Sequence, residues 1–485
     1  MVDVRVISKN VGKALLVSAL FMFFSVIVSL YYGMDSAFGP LAISCLITFI
    51  VGVFPSIFVG KTAQMSQLDG FVTVVLSWVL SFVFGMLPYV LWGGELSLIN
   101  AWFESVSGYT TTGGTILQDI EGLPKSLVFW RSSTHFIGGL GVVVFLLLIM
   151  PKASQSRFKL SKLDMSTLSR NGYRSKSLKT VHIMVVVYLG LVICETLLLM
   201  LAGMSFFDAI NHSFSTVATG GFSTRNNSIA YYDSRLIEFI IIVFMLLSSL
   251  HLGSIFFVFS KRSMHPLNNP VTKFFLGSCL LITVLVTFNL LTTGTYTNWI
   301  DAFLDALFSV SSQVSTTGFA VADNNLWPVA ACVLLLYCSV QCGCSGSTNG
   351  GVKSDRIYLM FKSIGWKIKK AVHPTYVSQV KVGNQIVEED TLGEVLIFIL
   401  FYLLIMLSSS VLLLLMGVGP EEAFSGPLTC MSNSGPGMGE IGTMGNYDGL
   451  PSPAKFLLTL NMLVGRVELF PIFAVILAMF KRNSK

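Results

Sequence analysis

Charge is what this sequence has least of. Only 12% of its 485 residues are Asp, Glu, Lys or Arg, where a soluble globular chain carries about 25%. Hydrophobic residues make up 53%, and the mean hydropathy is +0.74. A water-soluble body of this size has nowhere to bury so much apolar surface, so the soluble classes are excluded and lipid is the solvent. A soluble domain is also lacking. The longest polar stretches, 151–179 and 353–381, are too short to form a core of their own, which leaves no room for a membrane-tethered enzyme domain. A disulfide framework is missing too: Cys45, Cys194, Cys279, Cys332, Cys338, Cys342, Cys344 and Cys430 lie in or beside apolar segments. The close trio Cys338, Cys342 and Cys344 has no neighbouring His or acid and reads as buried small hydrophobes. One nucleotide motif is present in spacing only. Gly437, Gly439 and Gly442 fit G-x-G-x-x-G, but Pro427 before them and TMGNYDGLPSP after them give neither the strand nor the helix that motif needs.

Long apolar runs are what the chain does have. Val11 to Tyr32 exceeds the roughly 20 residues a helix needs to cross a bilayer. It lacks a small-residue cleavage site and is expected to be retained. Further spans are expected at about 38–60, 70–93, 126–150, 180–203, 234–260, 271–293, 326–360, 393–417 and 452–480, ten in all. Stretch 151–179 holds Lys152, Arg157, Lys159, Lys162, Arg170, Arg174, Lys176 and Lys179 against the single acid Asp164. Stretch 353–381 holds Lys353, Arg356, Lys362, Lys367, Lys369, Lys370 and Lys381. With Arg5, Lys9 and Lys13 before the first span and Lys481, Arg482 and Lys485 after the last, an even span count puts every basic cluster on one side. The positive-inside rule makes that side, and both termini, cytoplasmic. The net charge of +6 is thus a topology signal, and nothing in it calls for nucleic acid.

Between alternate pairs of spans, on the outer side, lie four stretches too short and too polar to cross. They read AWFESVSGYTTTG from Ala101, AINHSFSTVATGG from Ala209, ALFSVSSQVSTTG from Ala306 and AFSGPLTCMSNSG from Ala423. Twelve residues after each alanine stands a glycine: Gly113, Gly221, Gly318 and Gly435. Six residues after each alanine stands a hydroxyl: Ser107, Ser215, Ser312 and Thr429. Successive glycines are 108, 97 and 117 residues apart, a long repeat of span, short segment and span. A short segment that enters and leaves on one side is a re-entrant helix, whose C-terminal dipole end favours a cation at membrane depth. The non-helical backbone beyond it is tolerated there only in protein or along a water-filled path. Four such backbones around an axis would offer rings of carbonyls able to replace the hydration shell of potassium.

The expected fold is therefore an all-α membrane protein of four pseudo-symmetric span–pore helix–span repeats around one ion pore, plus two N-terminal spans. The units run 1–66 for the two-span hairpin, then 67–150, 151–262, 263–370 with a broken second span, and 371–485. The expected filter is Thr111, Thr112 and Gly113; Thr219, Gly220 and Gly221; Thr316, Thr317 and Gly318; and Asn433, Ser434 and Gly435.

The motifs ESVSGYTTTGG, NHSFSTVATGGFST and SSQVSTTGFA, set in four such units after two extra spans, resemble the Trk/Ktr/HKT superfamily of potassium transporters, most closely its bacterial TrkH branch. The resemblance covers essentially the whole chain. It implies potassium uptake across the cytoplasmic (inner) membrane, a homodimer embedded in membrane lipid, and a cytoplasmic nucleotide-binding regulatory subunit of TrkA type. Potassium is then the transported ion, no organic cofactor is bound by this chain, and any nucleotide binds the partner. The fourth copy, with Asn433, Ser434 and Pro436, departs most from the pattern. One glycine per repeat, where dedicated potassium channels carry two in TVGYG, implies potassium preferred over sodium by a modest margin. A potassium/proton symporter on the same fold is the alternative.

Two features inside spans read as a gate. GCSGSTNGG runs from Gly343 to Gly351 with glycines also at Gly346 and Gly350, and Lys353, Asp355 and Arg356 follow. Each glycine costs a helix about 1 kcal/mol relative to Ala, so a break is expected. Arg466 lies fifteen residues before Lys481, about 22 Å along a helix, too deep to snorkel, and intramembrane arginine faces a cavity or protein. Similar offsets from Gly318 and Gly435 put the loop and Arg466 at one depth, just inside the filter. TrkH-like proteins carry a matching broken span and arginine. His212, Arg131, His135, Glu195 and His251 are read as packed structural groups ahead of proton carriers.

Overall fold

The structure is a computed structural model and describes residues 3–60, 65–94, 96–149, 173–261, 268–373, 379–383 and 385–483. Helix dominates because the membrane leaves few other ways to satisfy backbone N–H and C=O groups. The only strands among the described residues are Lys381–Val382 and Gln385–Ile386, a two-residue antiparallel hairpin.

α1 (Val4–Tyr31) and α2 (Phe38–Phe58) form the N-terminal hairpin. They approach closely where Gly12 meets Gly52: a Cβ on either glycine would contact the other's carbonyl, at 2.6 and 3.1 Å. Such small-residue contacts replace the hydrophobic drive that lipid cannot supply. α2 is apolar almost all round and leaves Ile50, Phe54 and Phe58 more than half exposed, a surface made for lipid. α3 (Gln67–Gly85) continues into α4 (Leu87–Trp92). A capping box at its start has Ser66 accepting from the Asp69 N–H while Asp69 accepts from the Ser66 N–H, which fixes where the helix begins.

Four helices of 12 to 16 residues are each followed by non-helical backbone: α5 (Leu98–Tyr109), α8 (Phe206–Val217), α12 (Trp299–Val314) and α16 (Pro420–Ser432). Around them stand α6 (Lys125–Ile149), α7 (Tyr173–Leu201), α9 (Arg235–Ser248), α10 (Leu252–Lys261), α11 (Pro270–Thr292), α13 (Val329–Gln341), α14 (Ser354–Val372), α15 (Glu389–Leu415), α17 (Ser452–Val467) and α18 (Leu469–Asn483).

The apolar stretches do not all form single rods. Six described helices are long and apolar enough to cross a membrane, and two bent pairs bring that to eight. Runs 234–260 and 452–480, expected as continuous spans, bend by 107° between α9 and α10 and by 106° between α17 and α18. The run from 326 is broken between α13 and α14, where the glycine-rich stretch predicted it. The last third of α6 has no described side chains.

Candidate functional site: four turns above a broken span

Each short helix ends in the same way. Thr112 N–H bonds the Ser107 carbonyl at 2.9 Å, Gly220 the Ser215 carbonyl at 2.8 Å, Thr317 the Ser312 carbonyl at 2.9 Å and Ser434 the Thr429 carbonyl at 2.9 Å. One residue earlier, Thr111, Thr219, Thr316 and Asn433 bond to Gly108, Thr216, Gln313 and Cys430. That pair of bonds is a Schellman ending, which needs a left-handed residue, ordinarily glycine. Here the left-handed residues are Thr111, Thr219 and Thr316, with φ of 53°, 57° and 55°, and Asn433 at 57°. A β-branched residue in that region is an outlier, and it recurs in three of four copies. Two positions on, Gly113, Gly221, Gly318 and Gly435 have φ of 79°, 87°, 81° and 81°.

The four turns close a ring. A side chain at Gly113 would run into the carbonyl oxygen of Gly220, one at Gly221 into that of Thr317, and one at Gly318 into that of Ser434. At Gly435 it would meet the Thr112 carbonyl at 2.5 Å. The contacts pass from each copy to the next in chain order and return from the fourth to the first. The expected filter residues are thus brought together, and Thr111, Thr112, Thr219, Thr316, Thr317, Asn433 and Ser434 are fully buried.

Two of the in-register hydroxyls hold the strand that leaves the ring. Ser107 Oγ donates to the Gly114 carbonyl at 2.5 Å and Ser312 Oγ to the Phe319 carbonyl at 2.7 Å. In the fourth copy Tyr447 takes over, donating from its hydroxyl to the Gly435 carbonyl at 2.6 Å. The second copy has Gly220 where the others carry Thr or Ser, and the imidazole of His135 fills that place. His135 stacks on Phe222 at 4.0 Å, and its Nδ1 lies 2.8 Å from Ser215 Oγ.

A buried ion pair stands behind the first two turns. Glu104 and Arg131 are 2.5 Å apart. Glu104 also accepts from the Ile116 N–H at 3.2 Å, and Arg131 donates to the Ser223 carbonyl at 3.0 Å. His212 is a hydrogen-bonded brace, with Nε2 2.9 Å from Ser223 Oγ. Glu104, Phe222 and Tyr447 gave no signal in the sequence beyond their residue types; only their distance in space to the turns reveals them. Further out, the return loops are stitched from copy to copy: Asn226 to Ile120 N–H at 2.7 Å, Ile229 N–H to Ala320 at 3.1 Å, Thr443 to Asn324 N–H at 3.0 Å, and Tyr447 N–H to Thr115 at 2.8 Å.

Beneath the ring lies residues 342–353. Thr348 Oγ1 donates to the Val217 carbonyl at 3.1 Å, Asn349 Nδ2 to the Val314 carbonyl at 3.4 Å, and Gly350 packs on the Ser432 carbonyl and Asn433. The loop therefore touches the ends of α8, α12 and α16. Arg466, 3% exposed, donates from Nη1 to the Thr348 carbonyl at 2.7 Å and from Nη2 to the Gly138 carbonyl at 3.1 Å. Gly138 and Gly139 let α6 lie against Tyr109 and Ala218, so the arginine ties the loop to the first copy. Lys353 donates to the Asn349 carbonyl. Cys342 ends α13, and its thiol backs onto Gly351, whose φ is 66°. Glu468, at the bend of the last span with φ of 65°, pairs with Arg356 at 3.2 Å. Gly343 abuts the Ser249 carbonyl and Gly346 the ring of His251, which seats the loop in the bend between α9 and α10.

The family described as TrkH, cation transport protein, matches residues 42–483. The Trk system potassium uptake protein TrkH of Salmonella typhimurium is 34% identical over 87% of this chain and 88% of its own length. The Trk system potassium uptake protein TrkG of Escherichia coli is 33% identical over 99% of both chains. The crystal structure of the potassium transporter TrkH from Vibrio parahaemolyticus superposes with a TM-score of 0.87 at 32% identity, covering 97% of each chain. By sequence and by fold the chain belongs to the TrkH family of cation transport proteins.

Proposed function

We propose that this chain takes up potassium across the cytoplasmic membrane through a channel-like pore. The observation that carries the reading is the closed ring of four left-handed turns with glycine at each contact. The carbonyls of Thr112, Gly220, Thr317 and Ser434, one per repeat, form the selectivity filter in place of water around the ion. Four helix C-termini converge behind them, and their dipoles favour a cation at the centre. The names of the similar transporters point to potassium as that cation.

In this reading, residues 342–353 block the path below the ring. The gate comprises Gly343, Gly346, Gly350, Gly351 and Lys353, with the guanidinium of Arg466 adding positive charge to a permeating cation's route. α14 leads away from the loop and carries most of the basic stretch, from Arg356 to Lys370, so a cytoplasmic subunit of TrkA type that pulls on α14 would withdraw the plug. A homodimer, and both termini in the cytoplasm, complete the proposed assembly. Domain bounds follow the four repeats, with the hairpin of α1 and α2 outside them.

The test is rubidium uptake into liposomes holding the purified chain, driven by a potassium gradient with pH clamped. Uptake blocked better by potassium and rubidium than by sodium is the expected result. Uptake that needs a proton gradient would replace the passive pore with a symporter, and equal block by sodium would remove potassium from the filter.

A further inference from the structure

A cavity of about 410 Å³ opens between α1, α3 and α6, walled by Ala14, Val17, Phe21, Trp78, Phe136 and Leu140. Val17 lines it and is also 41% exposed, so the cavity reaches the lipid-facing surface.

Two polar groups mark one level of this apolar slot. Lys13 lines it, is exposed, and has no ion-pair partner among the described residues. Ser77 also lines it; it is 2% exposed, and its hydroxyl has no hydrogen-bond partner among the described residues. A buried hydroxyl left unpaired is destabilising, so Ser77 asks for an acceptor that enters the cavity. The two groups lie at similar depth. The Asp3 N–H bonds Asp69 at 2.8 Å, and α1 and α3, separated by the antiparallel α2, run the same way. Lys13 then stands about 15 Å along α1 from that contact and Ser77 about 12 Å along α3. From Ala14 to Tyr32 α1 and its cap carry no charged residue, which makes this level the cytoplasmic edge of the hydrocarbon layer. Beyond it the cavity continues to Tyr109 and Gly138.

A cation and a hydroxyl donor at the edge, with apolar walls beyond, match a phospholipid: phosphate on Lys13, an ester carbonyl on Ser77 and one acyl chain along the walls. Arg5, Lys9 and Lys13 follow one another at four-residue spacing on α1, and basic residues near the cytoplasmic leaflet attract anionic lipid. We propose that this cavity is a binding site for one anionic glycerophospholipid of the cytoplasmic leaflet. Its acyl chain abuts Gly138, whose carbonyl holds Arg466, so occupancy stiffens the anchor of the gate. That effect rests on the gate reading above, whereas binding does not.

Native mass spectrometry of the full chain, with phosphatidylglycerol or phosphatidylcholine added, reads binding directly. The expected result is one phosphatidylglycerol retained about tenfold better than phosphatidylcholine, ~1.4 kcal/mol. Ala14→Phe, which fills the slot, loses that lipid. Lys13→Gln retains a lipid but loses the preference. Equal retention by wild type and Ala14→Phe would overturn the site. If Ala14→Phe does not fold, brominated phosphatidylglycerol decides on the intact chain: quenching that Trp78→Phe removes supports the site, and its absence overturns it. Retention lost in a variant whose rubidium uptake is unchanged leaves the site standing and overturns only its link to the gate.

Discussion

Three threonines and an asparagine hold a backbone conformation that chain chemistry disfavours. Left-handed backbone costs an L-residue roughly 1–2 kcal/mol, and Thr cannot relieve it as Gly would. Such strain persists where the surroundings over-determine it, and it clusters at functional sites. The glycine two places on is constrained differently, because its missing Cβ leaves room for the neighbouring copy's carbonyl. Gly113→Ala would press a methyl into the Gly220 carbonyl. We expect folded protein with rubidium uptake reduced by at least about tenfold, the equivalent of ~1.4 kcal/mol in the barrier; wild-type uptake would show that the ring is not the path. Arg466 is held by two carbonyls in separate copies, a fork that a lysine cannot reproduce. Two unit charges 4 Å apart repel by about 4 kcal/mol at an effective dielectric of 20. Arg466→Ala should therefore raise basal uptake, and Arg466→Lys should raise it less because charge remains. Unchanged uptake in the alanine variant would end the proposed role.

At the scale of elements, the short helices and the broken span tell different stories about legibility. The alanine, hydroxyl and glycine register could be read from sequence because each position has its own steric demand. The alanines Ala101, Ala209, Ala306 and Ala423 are all buried to within 1%. The break after α13 was legible from four glycines in nine residues. The bends at Ser249–His251 and Glu468 were not, because LSSLHLG and GRVELF carry no cluster of helix breakers; tertiary contacts make them. Glu468 keeps its left-handed backbone while paired with Arg356. The brace behind the ring was equally invisible, since Glu104 and Arg131 lie on separate helices. Breaking a buried pair by removing one partner costs about 3–5 kcal/mol. Glu104→Gln should lower the melting midpoint markedly and blunt potassium preference, since Ile116 loses its carboxylate acceptor and Arg131, which holds Ser223, loses its ionic partner. The double variant with Arg131→Met should recover stability without recovering preference. A single variant as stable as wild type would mean that the loops are held by the inter-copy hydrogen bonds alone.

For the whole molecule, the ring is a problem of assembly. Its four glycines come from positions 113, 221, 318 and 435, so the carbonyl ring exists only when the entire chain is folded. Four helix C-termini also point inward, each equivalent to about half a negative charge. Together they place roughly two negative charges at one low-dielectric point, which repel unless a cation sits among them. A cation that binds this native ring and not the unfolded chain must stabilise the fold, by about 2.7 kcal/mol at a concentration one hundred times its dissociation constant. Thermal unfolding at constant ionic strength should therefore give a higher midpoint in potassium or rubidium than in sodium, and sodium should exceed a large organic cation. Gly113→Ala, strained at this left-handed position, should lower the midpoint in every salt and remove the difference between potassium and sodium. An equal midpoint in all four salts would place the ion's binding energy elsewhere than in the ring. A potassium increment that survived Gly113→Ala would assign it to a site outside the four turns. The sign follows from geometry alone: the same convergence that opposes folding of the empty ring favours folding around an ion.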